Sequence, residues 1–384
     1  MKSSRLWFLW EDREATNGFR TGVSLHGHTM HSRENLGFLQ GFVAKVPLLS
    51  WEIRRLERDF HARTGKTIDY TRGYWSPPLP SREAHALERW HIEQRLGLGA
   101  LVSLSDHNNI EAGCELRLLD ETRDTPISIE WTVPVGTTYF HLGIHNLPSR
   151  NAHTTVADLA RYGESPSARF RGELLASLSC HPDVLIVLNH PLWDQAGVGA
   201  ANHHAMLQEL LRTSGEHIHA LELNGLRTRS ENQAVADLAR TLDYPLISGG
   251  DRHTCEPSSV VNLTRATGFS EFVSEVRGGM SEVAFLDHYR QPLKLRLLKA
   301  VCDIMRDYPE LPGRVHWSDR VFCQAFSGAT VPISTFWNGN TPRVVRYFER
   351  ATRVVGNNGM LRAAHQMIEM SAADGVPGGG PRGR

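Results

Sequence analysis

His26-Gly27-His28 sets two imidazoles two residues apart. On an extended strand both side chains leave from the same side, so one metal ion can take both. Histidine is the commonest protein ligand for such ions. Four further clusters carry ligand types of the same kind: Asp106-His107, Glu130, His190 and Asp251-Arg252-His253. Any one of these residues could merely cap a strand or satisfy a backbone group. Together they describe a donor set of nitrogen and oxygen without thiolate, which suits zinc, manganese or iron.

The elements that must position these residues are legible as short apolar runs, each ending in a polar cluster. Val23-Ser24-Leu25 leads into His26, Leu101 to Ser105 into Asp106-His107, and Ile127-Ser128-Ile129 into Glu130. Tyr139-Phe140 leads into His141, and Val184 to Leu188 into Asn189-His190-Pro191. Leu221 to Leu223 leads into Asn224-Gly225, and Leu246-Ile247-Ser248 into Gly249-Gly250-Asp251. Continuous apolar runs mark buried parallel strands. In barrels of β/α units the chemistry sits at the C-terminal strand ends, and these candidate strands fit that arrangement. Helical spacing connects several of them. Val235, Leu238, Ala239 and Leu242 form one stripe within 231–242, and Ser270 and Gly278 read as the cap and stop of another helix.

Two regions lie outside this repeat. Residues 36–99 read as an insertion after the first strand, with Ile53, Leu56 and Phe60 marking one helix. A second helix starts at a Ser81 cap, with Ala84, Leu87 and Trp90 on one face and Gly97 as its stop. Between them runs an aromatic stretch containing Tyr70, Tyr74 and Trp75. The insertion leaves from the active end of the first strand, so it reads either as a lid or specificity wall or as a packed side-flap. A helical appendage is expected over 291–371. It carries a stripe of Leu293, Leu297, Val301 and Ile304, a helix start at Thr341-Pro342 and a last helix from Met360 to Met370. Residues 372–384 are rich in glycine and proline and are expected to be disordered.

Composition bounds the reading. A chain of 384 residues suits one large α/β domain, here 20–290, with a smaller unit beside it. Lysine plus arginine (42) balances aspartate plus glutamate (42), so a whole-chain basic field for non-specific nucleic-acid binding is absent. The 5 cysteines form no CxxC pair, which argues against zinc-finger and thioredoxin-type sites. No apolar run approaches the ~18 residues of a membrane span. Leu6 to Trp10, stopped by Glu11, is too short for a signal-peptide core, and a cytoplasmic location is expected.

Taken in order, the motifs resemble the polymerase and histidinol phosphatase (PHP) superfamily of metal-dependent phosphoesterases. His26-Gly27-His28-Thr29 with Ser32-Arg33-Glu34 resembles its opening HxHT segment, Ser105-Asp106-His107 its TDH motif, and Glu130 its strand-end glutamate. His141-Leu142-Gly143, His190-Pro191, Glu222-Leu223-Asn224 and Gly249-Gly250-Asp251-Arg252-His253 match the later motifs in the same order. The resemblance spans about residues 20–290. It implies an α/β fold, a distorted (β/α)7 barrel, holding two or three divalent transition-metal ions (zinc, manganese or iron). It implies further that His26, His28, Glu130 and Asp251 hold the first ion and that Glu130 is shared with a second ion on His141 and His190. His107, His253 and a residue of the 32–34 segment would hold a third. A bridging carboxylate is the usual two-metal hydrolase arrangement.

One position departs from the pattern. Many family members carry aspartate after that serine, where this chain has Arg33. A guanidinium stays protonated and cannot ligate, so Glu34 is expected to complete the third site, ahead of His31. Arg33, Arg227 and Arg252 lie beside the motifs and could neutralise a phosphate. Arg252 has the best placement, although its side chain should point away from the ligands on either side. His145 reads as a loop histidine, and His203, His204, His217 and His219 as surface residues. The expected activity is hydrolysis of a phosphomonoester or nucleotide-type phosphate by a metal-activated hydroxide, with Asp106 and Arg252 as candidate catalytic residues. The expected partner is a small phosphorylated substrate or a short oligonucleotide, not a membrane. Two alternatives stand beside it. One is a nuclease-type phosphodiesterase acting on nucleic-acid ends, with Tyr70, Tyr74 and Trp75 stacking on bases. The other is a non-catalytic metal-binding PHP module.

Overall fold

The computed structural model describes residues 3–12, 14–37, 47–67, 72–311, 314–337 and 341–355. The chain forms two compact units, residues 1–34 with 75–290 and residues 35–74 with 291–384. Of the residues 36–99 expected as an insertion, the helix Ser81–Leu96 falls in the first unit. Its buried face is Ala84, His85, Glu88, His91 and Ile92, whereas Trp90 is exposed. Ala84 packs with Val102 and Leu104, and Ile92 with Val261, Leu263 and Ala284.

The main strands of the first unit are β1 (Ser3–Phe8), β2 (Thr21–Gly27), β3 (Gly99–Leu104), β4 (Ile129–Val135) and β5 (Thr138–His145). They continue with β6 (Leu185–Asn189), β7 (Ala220–Asn224), β8 (Leu246–Gly249), β9 (Val260–Thr264) and β10 (Met280–Phe285). They make two five-stranded sheets, ordered β1-β10-β9-β2-β3 and β8-β7-β6-β5-β4. Among the described residues neither sheet closes on itself, and the architecture is a mixed α/β arrangement of open sheets. The strands are not all parallel either. Gly136, at φ 57°, turns β4 directly back into β5, so this pair is antiparallel and needs no crossover helix. β5 in turn runs antiparallel to β6, and β9 runs antiparallel to both of its neighbours. In consequence Glu130 is the second residue of β4, and His141 lies inside β5 rather than at a strand end.

Alternation of side chains buries both faces of the central strands. On β6, Leu185 and Val187 join Val23 and Leu25 of β2, Ala220 of β7 and Ile247 of β8 in one apolar cluster. Ile186 and Leu188 point the other way, into the largest cluster, with Leu142, Ile144, Leu159 and Leu175. The helix Phe269–Arg277 closes the first cluster with Phe269, Phe272, Val273 and Val276. Gly268 caps this helix, two residues before the expected Ser270. The helix Arg229–Leu242 starts two residues ahead of the expected stripe, at a capping box in which Thr228 and Glu231 satisfy each other's backbone N–H groups. Thr228→Ala is expected to cost about 1 kcal/mol in urea unfolding.

The second unit contains the helices Pro47–Thr64, Leu293–Ile304 and Arg343–Val355. It also contains a hairpin of Val321–Gln324 with Thr330–Pro332, so this part is not purely helical as expected. Its Arg320 is fully buried and donates to the carbonyls of Ile304, Arg306 and Arg314, tying three chain segments together. Tyr70, the expected helix Met360 to Met370 and the tail 372–384 lie outside the described residues. Among the described residues no helix is long and apolar enough to cross a membrane.

Candidate metal centre

The backbone already departs from regularity where the ligands sit. The pairing of β2 with β3 shifts between Ser24 and Gly27, and His26 adopts φ 59°. The two rings of His26-Gly27-His28 are therefore brought together by a bulge, with centroids 5.1 Å apart, and not by the simple extended alternation that was expected. His190 (φ 29°) directly follows β6, and Asp251 (φ 50°) stands two residues beyond β8. Such left-handed conformations cost about 1–3 kcal/mol each outside glycine. Every described non-glycine residue at positive φ is Asn, Asp or His, the types that tolerate it best.

Glu130, fully buried, stands at the middle of the candidate ligands. Its Oε1 lies 2.9 Å from His26 Nε2, 3.2 Å from His141 Nδ1 and 3.4 Å from His190 Nε2. Its Oε2 lies 3.1 Å from His107 Nδ1 and 3.3 Å from His28 Nε2. The two oxygens thus face different sets of imidazoles, as a bridging carboxylate must. Asp251 Oδ1 stands 3.6 Å from both His26 Nε2 and His28 Nε2 and 3.5 Å from His253 Nδ1.

A second carboxylate gathers the remaining histidines. Glu34 Oε2 lies 3.2 Å from His107 Nε2 and 3.1 Å from His253 Nε2, and its Oε1 lies 3.7 Å from His28 Nδ1. Ser32 aims it: the hydroxyl donates to Glu34 Oε1 at 2.5 Å and accepts the backbone N–H of His107 at 3.1 Å. Arg33 is exposed while Glu34 is buried. All nine candidate ligands therefore lie together, in overlapping sets. The close sets are His28-Glu34-His107-His253, His26-His28-Glu130, His26-His190-Asp251 and His107-Glu130-His141. Glu130 Oε1 also lies within 3.4 Å of both His141 and His190, the pair that the resemblance assigns to a second ion.

These residues fit divalent metal. His26 Nε2, His28 Nε2, His107 Nδ1, His141 Nδ1 and Glu130 Oε2 are buried, converge on one another, and lack an aligned hydrogen-bond partner. Burial of that many orphaned polar atoms is costly unless a cation takes their lone pairs. Burial also pushes His28 down to about 3 and His141 to about 4, leaving both rings neutral at pH 7. Against burial, the surrounding imidazoles hold Glu34, Glu130 and Asp251 well below the usual carboxylate range. Also against burial, Glu34 and Glu130 lift His107 to about 9, and Glu130, Glu222 and Asp251 hold His26 above its usual value. Protons on those two rings must leave when a cation binds.

A surrounding layer fixes the ligands. His26 Nδ1 meets Glu222 Oε2 at 2.7 Å, an acid on the buried strand β7. Asn224 donates to Glu222 and to Asp251, and Asn189 donates to Glu130 Oε1 at 2.9 Å. Carboxylate and amide partners of this kind orient ligands and raise their basicity. A Cβ on Gly249 would collide with the Glu222 carboxylate, which explains the glycine before Gly250-Asp251.

Both candidate catalytic residues are engaged in buried hydrogen bonds. Arg252 is buried, with Nε 2.9 Å from Glu88 Oε1 and its other nitrogens donating to the carbonyls of Thr254 and His28. Glu88 also accepts from Ser24 and Ser258. Asp106 spends both oxygens on Thr29, at 2.5 Å to the backbone N–H and 2.7 Å to the hydroxyl, and burial lifts it to about 6. His145 is not a loop residue: it ends β5, buried, with Nδ1 2.7 Å from Ser103 Oγ. His203 is buried rather than on the surface, its Nε2 3.0 Å from the Pro191 carbonyl. Glu222 lies in the Glu222-Leu223-Asn224 motif already named, whereas Glu88 carries no comparable mark in the sequence.

No family model and no curated protein sequence matches this chain. Among solved structures, an amidohydrolase from Chromobacterium violaceum is similar at 13% identity and TM-score 0.31, over 47% of this chain and 84% of that one. PsfC from Pseudomonas syringae gives 14% identity and TM-score 0.37, over 56% and 87%. A protein described as a metal-dependent phosphoesterase, from Bifidobacterium adolescentis, gives 12% and 0.32, over 53% and 92%. At these TM-scores, what the chain does has to be argued from its own geometry.

Proposed function

We propose that this chain is a metal-dependent phosphoesterase of the PHP type, acting on a phosphomonoester or nucleotide-type phosphate. The observation that carries the reading is Glu130, whose two oxygens serve separate imidazole sets in a buried cluster of nitrogen and oxygen donors. Supporting it are the order of the motifs and two single parallel bridges, Gly27 to Arg252 and His107 to Glu130. These bridges favour regarding the two sheets as halves of one distorted β/α barrel. The donor set suits two or three ions of zinc, manganese or iron. When bound, such ions supply Lewis acidity at a phosphoryl oxygen and make a water acidic enough to attack near neutral pH.

The chain's own part is to hold and to orient. Glu130, Asp251 and Glu34 supply the negative charge that retains cations, and Glu222 sets the ring of His26. Thr29, fixed by Asp106, locks the turn after His28, so Asp106 acts on geometry and not as a proton carrier. Of the aromatics that a diesterase would stack on bases, Trp75 is buried against His253, with ring centroids 5.8 Å apart, Tyr74 stacks on Phe322, and Tyr70 lies outside the described residues. The test is turnover of a generic aryl phosphate and an aryl phosphodiester by the protein reconstituted with manganese or zinc. Monoester turnover that a chelator abolishes is the expected result. Turnover of the diester alone, or none, overturns the reading.

A further inference from the structure

Arg252 and Glu88 belong to none of the close ligand sets, yet both are buried, 4% and 1% exposed, and they pair with each other. Taking two charges out of water is costly, and their attraction often does no better than break even against an apolar pair of the same volume. The pair therefore invites a reason other than stability, and its hydrogen bonds give one. The backbone of Arg252 pairs with the first ligand segment: its N–H donates to the His26 carbonyl at 3.3 Å and its carbonyl accepts the N–H of His28 at 2.8 Å. The guanidinium crosses to the same segment, donating to the His28 carbonyl at 2.9 Å, and returns to its own loop at the Thr254 carbonyl, at 2.8 Å. Room for it depends on Gly27, where a Cβ would stand 3.3 Å from Leu104 and 3.4 Å from the guanidinium. One side chain thus holds the segment carrying His26 and His28 at a fixed spacing from the segment carrying Asp251 and His253.

A guanidinium can do this only while its plane is fixed, and Glu88 fixes it. Arg252 Nε lies 2.9 Å from Glu88 Oε1. The same carboxylate accepts from the Ser24 hydroxyl at 2.9 Å and from the hydroxyl and the backbone N–H of Ser258, each at 3.1 Å. Ser24 stands two residues before His26 on β2, and Ser258 follows His253 by five residues. Glu88 therefore fastens the helix Ser81–Leu96 to both ligand-bearing segments. We propose that Glu88 and Arg252 are positioning residues of the metal centre. Glu88 orients the guanidinium, and Arg252 sets how closely His26 and His28 approach Asp251 and His253, and with it the metal affinity and the coordination geometry. Neither side chain touches a reacting atom. The inference rests on the metal-dependent part of the proposed function and holds whatever the substrate is.

Cobalt(II), titrated into the metal-free, full-length protein and followed by its visible absorption, tests this, because the band reports ligand geometry. Urea unfolding of the metal-free proteins is read alongside. Glu88→Gln and Arg252→Met each leave one charge buried without its partner, and each is expected to lower the urea midpoint. Glu88→Leu combined with Arg252→Met removes both charges and is expected to regain most of that midpoint. It is nevertheless expected to bind cobalt about ten- to a hundredfold more weakly than wild type, with a shifted band at saturation. Arg252→Lys keeps the charge but cannot serve the carboxylate and both carbonyls from one plane, so its cobalt affinity is expected to fall between those of the double variant and wild type. Wild-type cobalt affinity and band in the double variant or in Arg252→Lys overturns the proposal. So does weakened cobalt binding confined to variants with a lowered midpoint, because the pair would then only hold the fold. If the wild-type protein binds no cobalt, the metal-dependent reading itself falls. Normal binding in wild type beside unchanged binding in the variants removes the positioning role alone.

Discussion

Glu130→Gln is expected to lower metal content by more than one ion per chain and to cut turnover at least about a thousandfold, equivalent to roughly 4 kcal/mol of barrier. The reason is geometric. Glu130 is within 3.4 Å of five histidine nitrogens, on His26, His28, His107, His141 and His190. An amide is neutral and presents one end as a donor, so it cannot serve imidazole-bound cations from both atoms. His190→Ala is the control. It removes one ring from the His26-His190-Asp251 set and leaves the His28-Glu34-His107-His253 set complete. Elemental analysis of the two proteins after identical reconstitution decides the matter. Equal metal loss in both would show that Glu130 does not bridge.

Glu34→Ala is expected to remove one ion while the others persist, and to lower turnover by roughly a hundredfold or more, as loss of a metal-held contact does. Glu34 is the carboxylate that faces His107 and His253, at 3.2 and 3.1 Å. Arg33→Ala is expected to leave ion count and turnover unchanged, since that side chain is exposed. The competing arrangement, in which an arginine replaces the third cation, predicts the reverse. Retention of every ion in Glu34→Ala, with turnover lost only in Arg33→Ala, would remove Glu34 from the centre.

Most of the candidate ligands were readable because they are polar residues beside an apolar run in the sequence, whereas Glu34 stands apart from any such run and was singled out only through the motif order. The topology was harder. Val135-Gly136-Thr137 is a turn signal between two apolar segments, but nothing local in it separates a hairpin from a link between parallel strands. β1 has no local mark of its place in the sheet, because its pairing with β10 depends on residues more than 270 positions away. Glu88 could not be singled out from its neighbours on a helix with charge on several faces. Only the buried position of Arg252 shows why an acid is needed there. Burial of His145 and His203 likewise depends on contacts from distant segments, which periodicity does not report.

The left-handed backbone at His26, His190 and Asp251 bears on how this chain can change over generations. Glycine at any of the three would relax the main chain and at the same time delete a metal-ligand candidate. Selection for foldedness and selection for chemistry therefore pull in opposite directions at these positions. A lineage released from the need for metal should drift first at these positions, gaining thermal robustness as it loses its reaction. Stability-guided redesign of the protein has to hold the same three residues constant, or it will find that lineage's endpoint in a single step.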